Sequence, residues 1–222
     1  MNRVTRVDGT IPVRHVLVSA FDKEGLPELV GEIAEAFPES RFYSTGGTYR
    51  ALERVLPRER LVSVSDYTGQ PEIAGGLVKT LDYKIYLGLL SERYSPEHRA
   101  DRERTGAVLF DLVICNLYPF EEVIAEEGRD LEDARGNIDI GGPTMVRAAA
   151  KNFLQIACLT DPADYAGFLA AVETARGIPL QVRYRLAAKA FESVALYDRA
   201  IADYLARTPL SANLYTEASS DG

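Results

Sequence analysis

The sequence predicts an α/β fold with a mostly parallel sheet, helices on both of its faces, and further helices at the C-terminal end. Three observations predict it. Short apolar, β-rich runs alternate along the chain with segments whose apolar residues recur at helical spacing. Repeated β-α units of this kind build parallel sheets covered on both faces. The stretch before Pro209 holds its helical period much longer than any other. Taken in order, "HVLVSAF" (15–21) is the first strand of the sheet and "LPELVGEIAEAF" (26–37) the helix that returns from it. "RFYST" (41–45) is a second strand, followed by a helix over "GTYRALERVL" (47–56). "RLVSVSDYT" (60–68) reads as a strand entering a loop. "DLVICNL" (111–117) is the central strand and "LQIACLT" (154–160) the next, with "FEEVIAEE" and "PTMVRAAAKN" helical in pattern between them. From Pro179 to Arg207 the chain reads as one long helix or a broken pair, whose apolar side needs the sheet or another subunit as a partner.

The 222 residues fit one domain, placed at 1–207, with residues 208–222 as a loose polar tail. A net charge of -8 argues against a nucleic-acid partner, which would need a basic face. It leaves room for a local cationic pocket that takes a small phosphate. No apolar run reaches the ~18–20 residues of a membrane span, and the N-terminus lacks the apolar core of a signal peptide. A cytoplasmic protein without membrane contact is expected. Cys115 and Cys158, far apart on strand-like runs, read as reduced core thiols. His15 and His98 form no metal-ligand spacing, so no metal site is expected.

Ligands of parallel sheets bind beyond the C-terminal strand ends, and the candidate residues fall there. In "FYSTGGTYRAL" (42–52), Gly46 and Gly47 let the backbone approach a ligand. Ser44, Thr45 and Thr48 offer hydroxyls, and the helix start offers free N–H groups to a phosphate. A capped helix after a turn is the plain alternative. "SAFDKEG" (19–25) ends the first strand the same way and sets Asp22 and Lys23 beside that turn, or leaves them as a solvated pair. "GGLVKTL" (75–81) carries Lys79 and Thr80 in a loop, where the lysine either meets a phosphate or is merely exposed. "CNLYPF" (115–120) puts Asn116 and Tyr118 at the edge of the central strand. "IDIGGPTMVRAAAKN" (138–152) sets Asp139 before Gly141 and Gly142, with Pro143 suited to a first helical turn. Arg147 and Lys151, four apart, share a helix face. A carboxylate and a lysine on one such unit can orient a substrate and relay protons; a capping aspartate with a solvated basic face is the alternative.

Together, "SAFDKEG", "STGGT", "SDYTGQPEIAGGLVKTL", "CNLYPF", "NIDIGGPTMVRAAAKN" and "AFESVALYDRAIADYL" resemble, in order, the inosine monophosphate (IMP) cyclohydrolase domain. That domain is the N-terminal half of the bifunctional AICAR formyltransferase/IMP cyclohydrolase family, and the resemblance covers roughly residues 15–205. It implies a methylglyoxal-synthase-like three-layer α/β sandwich. It also implies ring closure of formyl-AICAR (FAICAR) to IMP and water in purine biosynthesis, with no cofactor. A homodimer is implied, with a separate formylating enzyme as pathway partner, because the formyltransferase half has no counterpart in these residues. Carried over by residue, nucleotide contacts fall on Asp22, Lys23, Ser44, Thr45, Gly46, Gly47, Thr48, Lys79 and Thr80. They continue at Cys115, Asn116, Asp139, Ile140, Gly141 and Gly142. The catalytic set implied is Lys79, Tyr118, Asp139 and Lys151, with Lys151 exchanging a proton and Lys79 as electrostatic partner. A non-catalytic nucleotide sensor of the same fold is the rival reading. A methylglyoxal-synthase-like lyase is a weaker one, since both histidines lie outside the site segments.

The chain departs from the family pattern in places. "GLVKTLDYKIYLGLL" stands where the family usually reads "GRVKTLHPKVHGGIL". Leu77 replaces a nucleotide-contacting arginine, and Asp82, Tyr83 and Tyr86 replace histidine, proline and histidine. Phe21 and Glu24 replace a serine and a threonine. One lost guanidinium contact is typically worth ~1.5–3 kcal/mol of binding.

Overall fold

The computed structural model describes residues 3–71, 80–210 and 215. The elements run β1 (Thr10–Ile11), β2 (His15–Val18), α1 (Leu26–Ala36), β3 (Arg41–Ser44), α2 (Gly46–Leu52), β4 (Leu61–Ser63) and α3 (Val64–Thr68). They continue with α4 (Tyr83–Leu90), α5 (Pro96–Thr105), β5 (Leu112–Ile114), α6 (Phe120–Ala125), α7 (Leu131–Gly136) and α8 (Gly141–Lys151). The chain closes with β6 (Ala157–Leu159), α9 (Tyr165–Ala175), β7 (Ile178–Pro179) and α10 (Leu180–Arg207). Five strands form a parallel sheet in the order β4-β3-β2-β5-β6. β1 and β7 make a separate antiparallel ladder.

The strands alternate with period two, and both faces are apolar because both are covered. Val16, Val18, Phe42, Leu112, Ile114, Ala157 and Leu159 pack with α1 and α9 on one side. Leu17, Tyr43, Val113 and Cys158 pack with α4, α8 and α10 on the other. The result is a three-layer α/β sandwich around a parallel sheet, with additional C-terminal helices, as the resemblance implies. The stretch left open as one helix or two is a single helix of 28 residues, whose first turns bury Arg183, Leu186 and Ala187 against the sheet side. Chain order reverses at β2, which pairs β3 on one side and β5 on the other. Such a switch point opens a crevice at the C-terminal strand ends.

Several elements differ from the sequence expectation. The run "RLVSVSDYT" leaves the sheet at Ser63 and turns into α3. The helix expected over 47–56 is α2, which stops at Leu52. Helix α5 buries none of its residues and so shows no apolar period. It stands on its caps: Ser95 Oγ accepts the His98 N–H at 3.1 Å, and Gly106 ends it with φ 66°. A reciprocal box between Asp130 and Asp133 starts α7. No helix among the described residues is long and apolar enough to cross a membrane. Most of the predicted C-terminal tail lies outside the described residues.

His15 gives the fold a pH signature. Burial, then the nearby Arg41 and Arg14 charges, lower its pKa from 6.5 to about 4. Between those values the unfolded chain binds a proton that the folded protein does not, so stability is complete above pH 6.5 and declines as pH falls toward 4. The ring is partly exposed, so the expected loss by pH 5 is only about 1 kcal/mol. Melting temperatures at pH 7 and pH 5 check this: His15→Gln should lose less than the parent protein, and equal losses would assign the effect to other groups.

Candidate active site

The C-terminal ends of β2 and β5 feed the site directly. The Ser19 N–H extends the β2–β5 pairing by donating to the Ile114 carbonyl at 2.9 Å. Asn116, two residues past β5, holds the neighbouring loop from both sides. Its Nδ2 donates to the Asp22 carbonyl at 2.8 Å, and its Oδ1 accepts the Asp22 N–H at 2.9 Å. Both groups of the amide are thereby used on backbone, which fixes the 19–25 loop beside the central strand. The Asp22 carboxylate caps that loop by accepting the Glu24 N–H at 2.9 Å, and Lys23 Nζ donates to the Phe21 carbonyl at 2.9 Å.

The hydroxyls of the glycine turn divide into two roles. Ser44 is fully buried and donates to the Val18 carbonyl at 2.8 Å, so it ties β3 to β2. Thr48 Oγ1 donates to the Ala20 carbonyl at 2.9 Å and accepts the Ala20 N–H at 3.2 Å, which locks α2 to the first loop. Thr45 makes no capping bond and faces the cleft. Gly46 has φ 52°, a region that a side chain would strain. A Cβ added at Gly47 would stand 3.9 Å from an Arg50 guanidinium nitrogen and 4.0 Å from Lys23 Cε. Two cations therefore converge on the start of α2, where free N–H groups already favour an anion. Arg50 was not among the residues singled out from sequence; its placement one turn into the helix is the signal that could have found it.

The opposite wall is the loop entering α8. A Cβ at Gly142 would stand 2.2 Å from Asp139 Oδ2, and one at Gly141 would stand 2.9 Å from Thr80 Oγ1. The two glycines are thus the space in which the aspartate and the threonine sit. Asp139 Oδ1 accepts the Gly142 N–H at 3.1 Å, and the Asp139 N–H donates to the Tyr197 hydroxyl of α10 at 2.7 Å. Tyr197 is a buried residue of α10. It pins the backbone of Asp139 from behind.

Between the walls lies a cleft of about 400 Å³. Ser19, Ala20, Phe21 and Thr45 line one side; Asn137, Asp139, Ile140 and the paired glycines line the other. Thr80, Cys115, Asn116 and Tyr118 complete the lining. The rings of Phe21 and Tyr118 meet edge to face at 4.3 Å, so Phe21, named from sequence only as a departure, sets the position of Tyr118. The Cys115 thiol is held well above its ordinary pKa by burial, with Cys158 and Asp139 adding to the rise. It is a neutral wall, not a nucleophile. Neither histidine lines the cleft: His15 opens β2 at the N-terminal end of that central strand, and His98 lies in α5. No group of three or more His, Cys, Asp or Glu side chains that could hold a metal occurs among the described residues.

Lys151 stands apart from the other expected site residues. It is the exposed last residue of α8, about 14 Å along the helix from Gly142, and does not line the cleft. The reason is geometric: α8 starts at the C-terminal strand ends and runs back along the sheet, carrying its last turn to the opposite edge. Lys79 and Leu77 lie outside the described residues.

Comparison with known proteins places the chain. The MGS-like domain model matches residues 26–144, and the AICARFT/IMPCHase bienzyme model matches residues 149–220; the two meet inside α8. The "Bifunctional purine biosynthesis protein PurH" of Chlorobium phaeovibrioides is 45% identical over 197 residues, covering 88% of this chain and 37% of that protein. The protein of the same name from Mesorhizobium japonicum is 46% identical over 197 residues, covering 88% of this chain and 36% of that one. The chain thus spans little more than a third of these relatives. A solved structure titled "Crystal structure of ForH" superposes with a TM-score of 0.74 at 30% identity, covering 87% of this chain and 99% of that one. The chain belongs to the MGS-like domain family, followed by an AICARFT/IMPCHase segment, and is homologous to part of the bifunctional PurH protein.

Proposed function

We propose that this protein is an IMP cyclohydrolase that closes the ring of FAICAR to give IMP and water, without a cofactor. The observation that carries the reading is the position of Asp139. Its carboxylate sits against Gly142 and shares a nucleotide-sized cleft with Tyr118 and Thr45, while Lys23 and Arg50 converge on Gly47 at the start of α2, beside Thr45. A phosphate at the α2 start and a heterocycle between Tyr118 and Asp139 would satisfy both ends. In the reaction the carboxamide nitrogen attacks the formyl carbon of the same molecule. Holding those two groups in contact supplies much of the rate. Asp139 and Tyr118 then orient the amide and the formyl oxygen, and we assign Lys79 to the charge that develops on that oxygen. Lys151, at the other end of α8, is left out of this set. We further propose a cytoplasmic homodimer, with residues 1–207 as one cyclohydrolase-like domain.

Nucleotide binding is the first consequence. IMP at about 100 times its dissociation constant should stabilise the protein by about 2.7 kcal/mol. Thermal melts with and without IMP test this, and no shift at millimolar IMP would sink the reading. The sensor alternative shares this binding and differs only in turnover.

A further inference from the structure

The residues that adjoin Tyr118 and Asp139 along the chain meet at one side chain of α10. Leu117 and Phe120 flank the Tyr118 turn, and Ile138 precedes Asp139. All three belong to a third, smaller apolar cluster built around Phe120, Ala134 and Tyr197. The Phe120 and Tyr197 rings stand 6.3 Å apart at 72°. The Phe120 N–H donates to the Tyr118 carbonyl at 2.9 Å, so the tight turn that carries Tyr118 is held to that packed ring. The Asp139 side is held by a hydrogen bond. Asp139 lies in the connection between α7 and α8, and the other hydrogen bonds described for residues 137–140 are local. The Asn137 and Ile138 N–H groups donate to carbonyls of α7, and the Ile140 carbonyl accepts from Thr144. Such bonds shape the connection without fixing where it stands on the sheet. The Asp139 N–H instead crosses 58 positions to the Tyr197 hydroxyl, at 2.7 Å. One buried tyrosine therefore stands behind both cleft groups that orient the substrate in the proposed reaction.

We propose that Tyr197 is a positioning residue for ring closure: its hydroxyl fixes the backbone of Asp139 and its ring fixes the Tyr118 turn, so that the two side chains meet one substrate at a set separation. The proposal rests on the function proposed above. Tyr197 does not line the cleft, so it adds nothing to binding directly. Its loss should show in the rate of the bound substrate, since a misplacement of about 1 Å can cost as much as ~10²-fold.

The test is steady-state FAICAR kinetics of Tyr197→Phe, which keeps the ring and its packing and removes the hydroxyl. Tyr204→Phe is the control. Tyr204 packs on the same Phe120 ring at 5.8 Å, and its hydroxyl reaches only the Asp130 carbonyl, at 3.5 Å. With both variants assayed well below their melting points, kcat of Tyr197→Phe should fall about tenfold or more while KM stays within about twofold. Tyr204→Phe should match the parent in both. A Tyr197→Phe kcat within about twofold of the parent would overturn the proposal and leave the proposed function standing. An equal fall in Tyr204→Phe, or a change confined to KM, would also overturn it, by showing a general loosening of the cluster. A parent protein that does not turn FAICAR over would overturn the proposed function, and this proposal with it.

Discussion

Asp139→Asn should cut FAICAR turnover by about 10²–10³-fold, the span expected when a preorganised group that orients the reacting atoms is lost, while the protein melts as before. The two halves of the expectation come from the two oxygens. Oδ1 accepts the Gly142 N–H at 3.1 Å, and an asparagine oxygen can do the same. The backbone N–H bond to Tyr197 does not involve the side chain at all. The loop therefore keeps its shape, and what is removed is the negative charge beside the reacting amide. Steady-state kinetics with a melting curve as control measure this. A variant turning over within about threefold of the parent would take Asp139 out of the chemistry, given the usual size of such effects.

Arg183→Met should be the most damaging single change to stability. Arg183 is fully buried in the first turns of α10. Its guanidinium donates to the carbonyls of Phe153 at 3.0 Å, Ile178 at 2.5 Å, Asp8 at 2.6 Å and Leu154 at 3.0 Å. Those carbonyls belong to the N-terminal arm, the α8–β6 connection and β7, so one side chain stitches three distant segments to α10. Burial lowers its pKa to about 10, which leaves it charged at neutral pH. Methionine fills similar space and offers no donor, so four carbonyl oxygens lose their partner. With ~1–3 kcal/mol for each polar group left unsatisfied, and partial relief by relaxation or water, a loss of at least about 3 kcal/mol is expected. For a chain of this size that is a fall in melting temperature of roughly 6–12 °C. Calorimetry reads it directly, and a drop below about 2 °C would mean that water replaces the guanidinium at little cost.

The five parallel strands were legible because burial on both faces leaves short apolar runs bounded by turn residues. The glycine turns were legible as places where a backbone must come close to something. What they come close to was not. Gly142 makes room for Asp139, its own neighbour, and Gly141 for Thr80 from a separate segment. Ser44 and Thr48, read as ligand hydroxyls, spend their bonds on the Val18 and Ala20 backbone. A hydroxyl at a strand end looks the same in sequence whether it faces a ligand or a neighbouring strand. Helices α5 and α7 were missed because caps hold them, and caps leave no apolar period to read. Lys151 shows the remaining gap. Its spacing from Asp139 is a property of the motif, but its distance from the cleft depends on the direction of α8 relative to the sheet.

Ring closure at this cleft is tested most directly by the rate at which the purified protein converts FAICAR to IMP, followed against a protein-free control. IMP formation well above the control is expected, with near-complete loss of that excess in Asp139→Asn. No excess over the control, in protein that still gains thermal stability from IMP, would contradict it and leave a nucleotide sensor in its place.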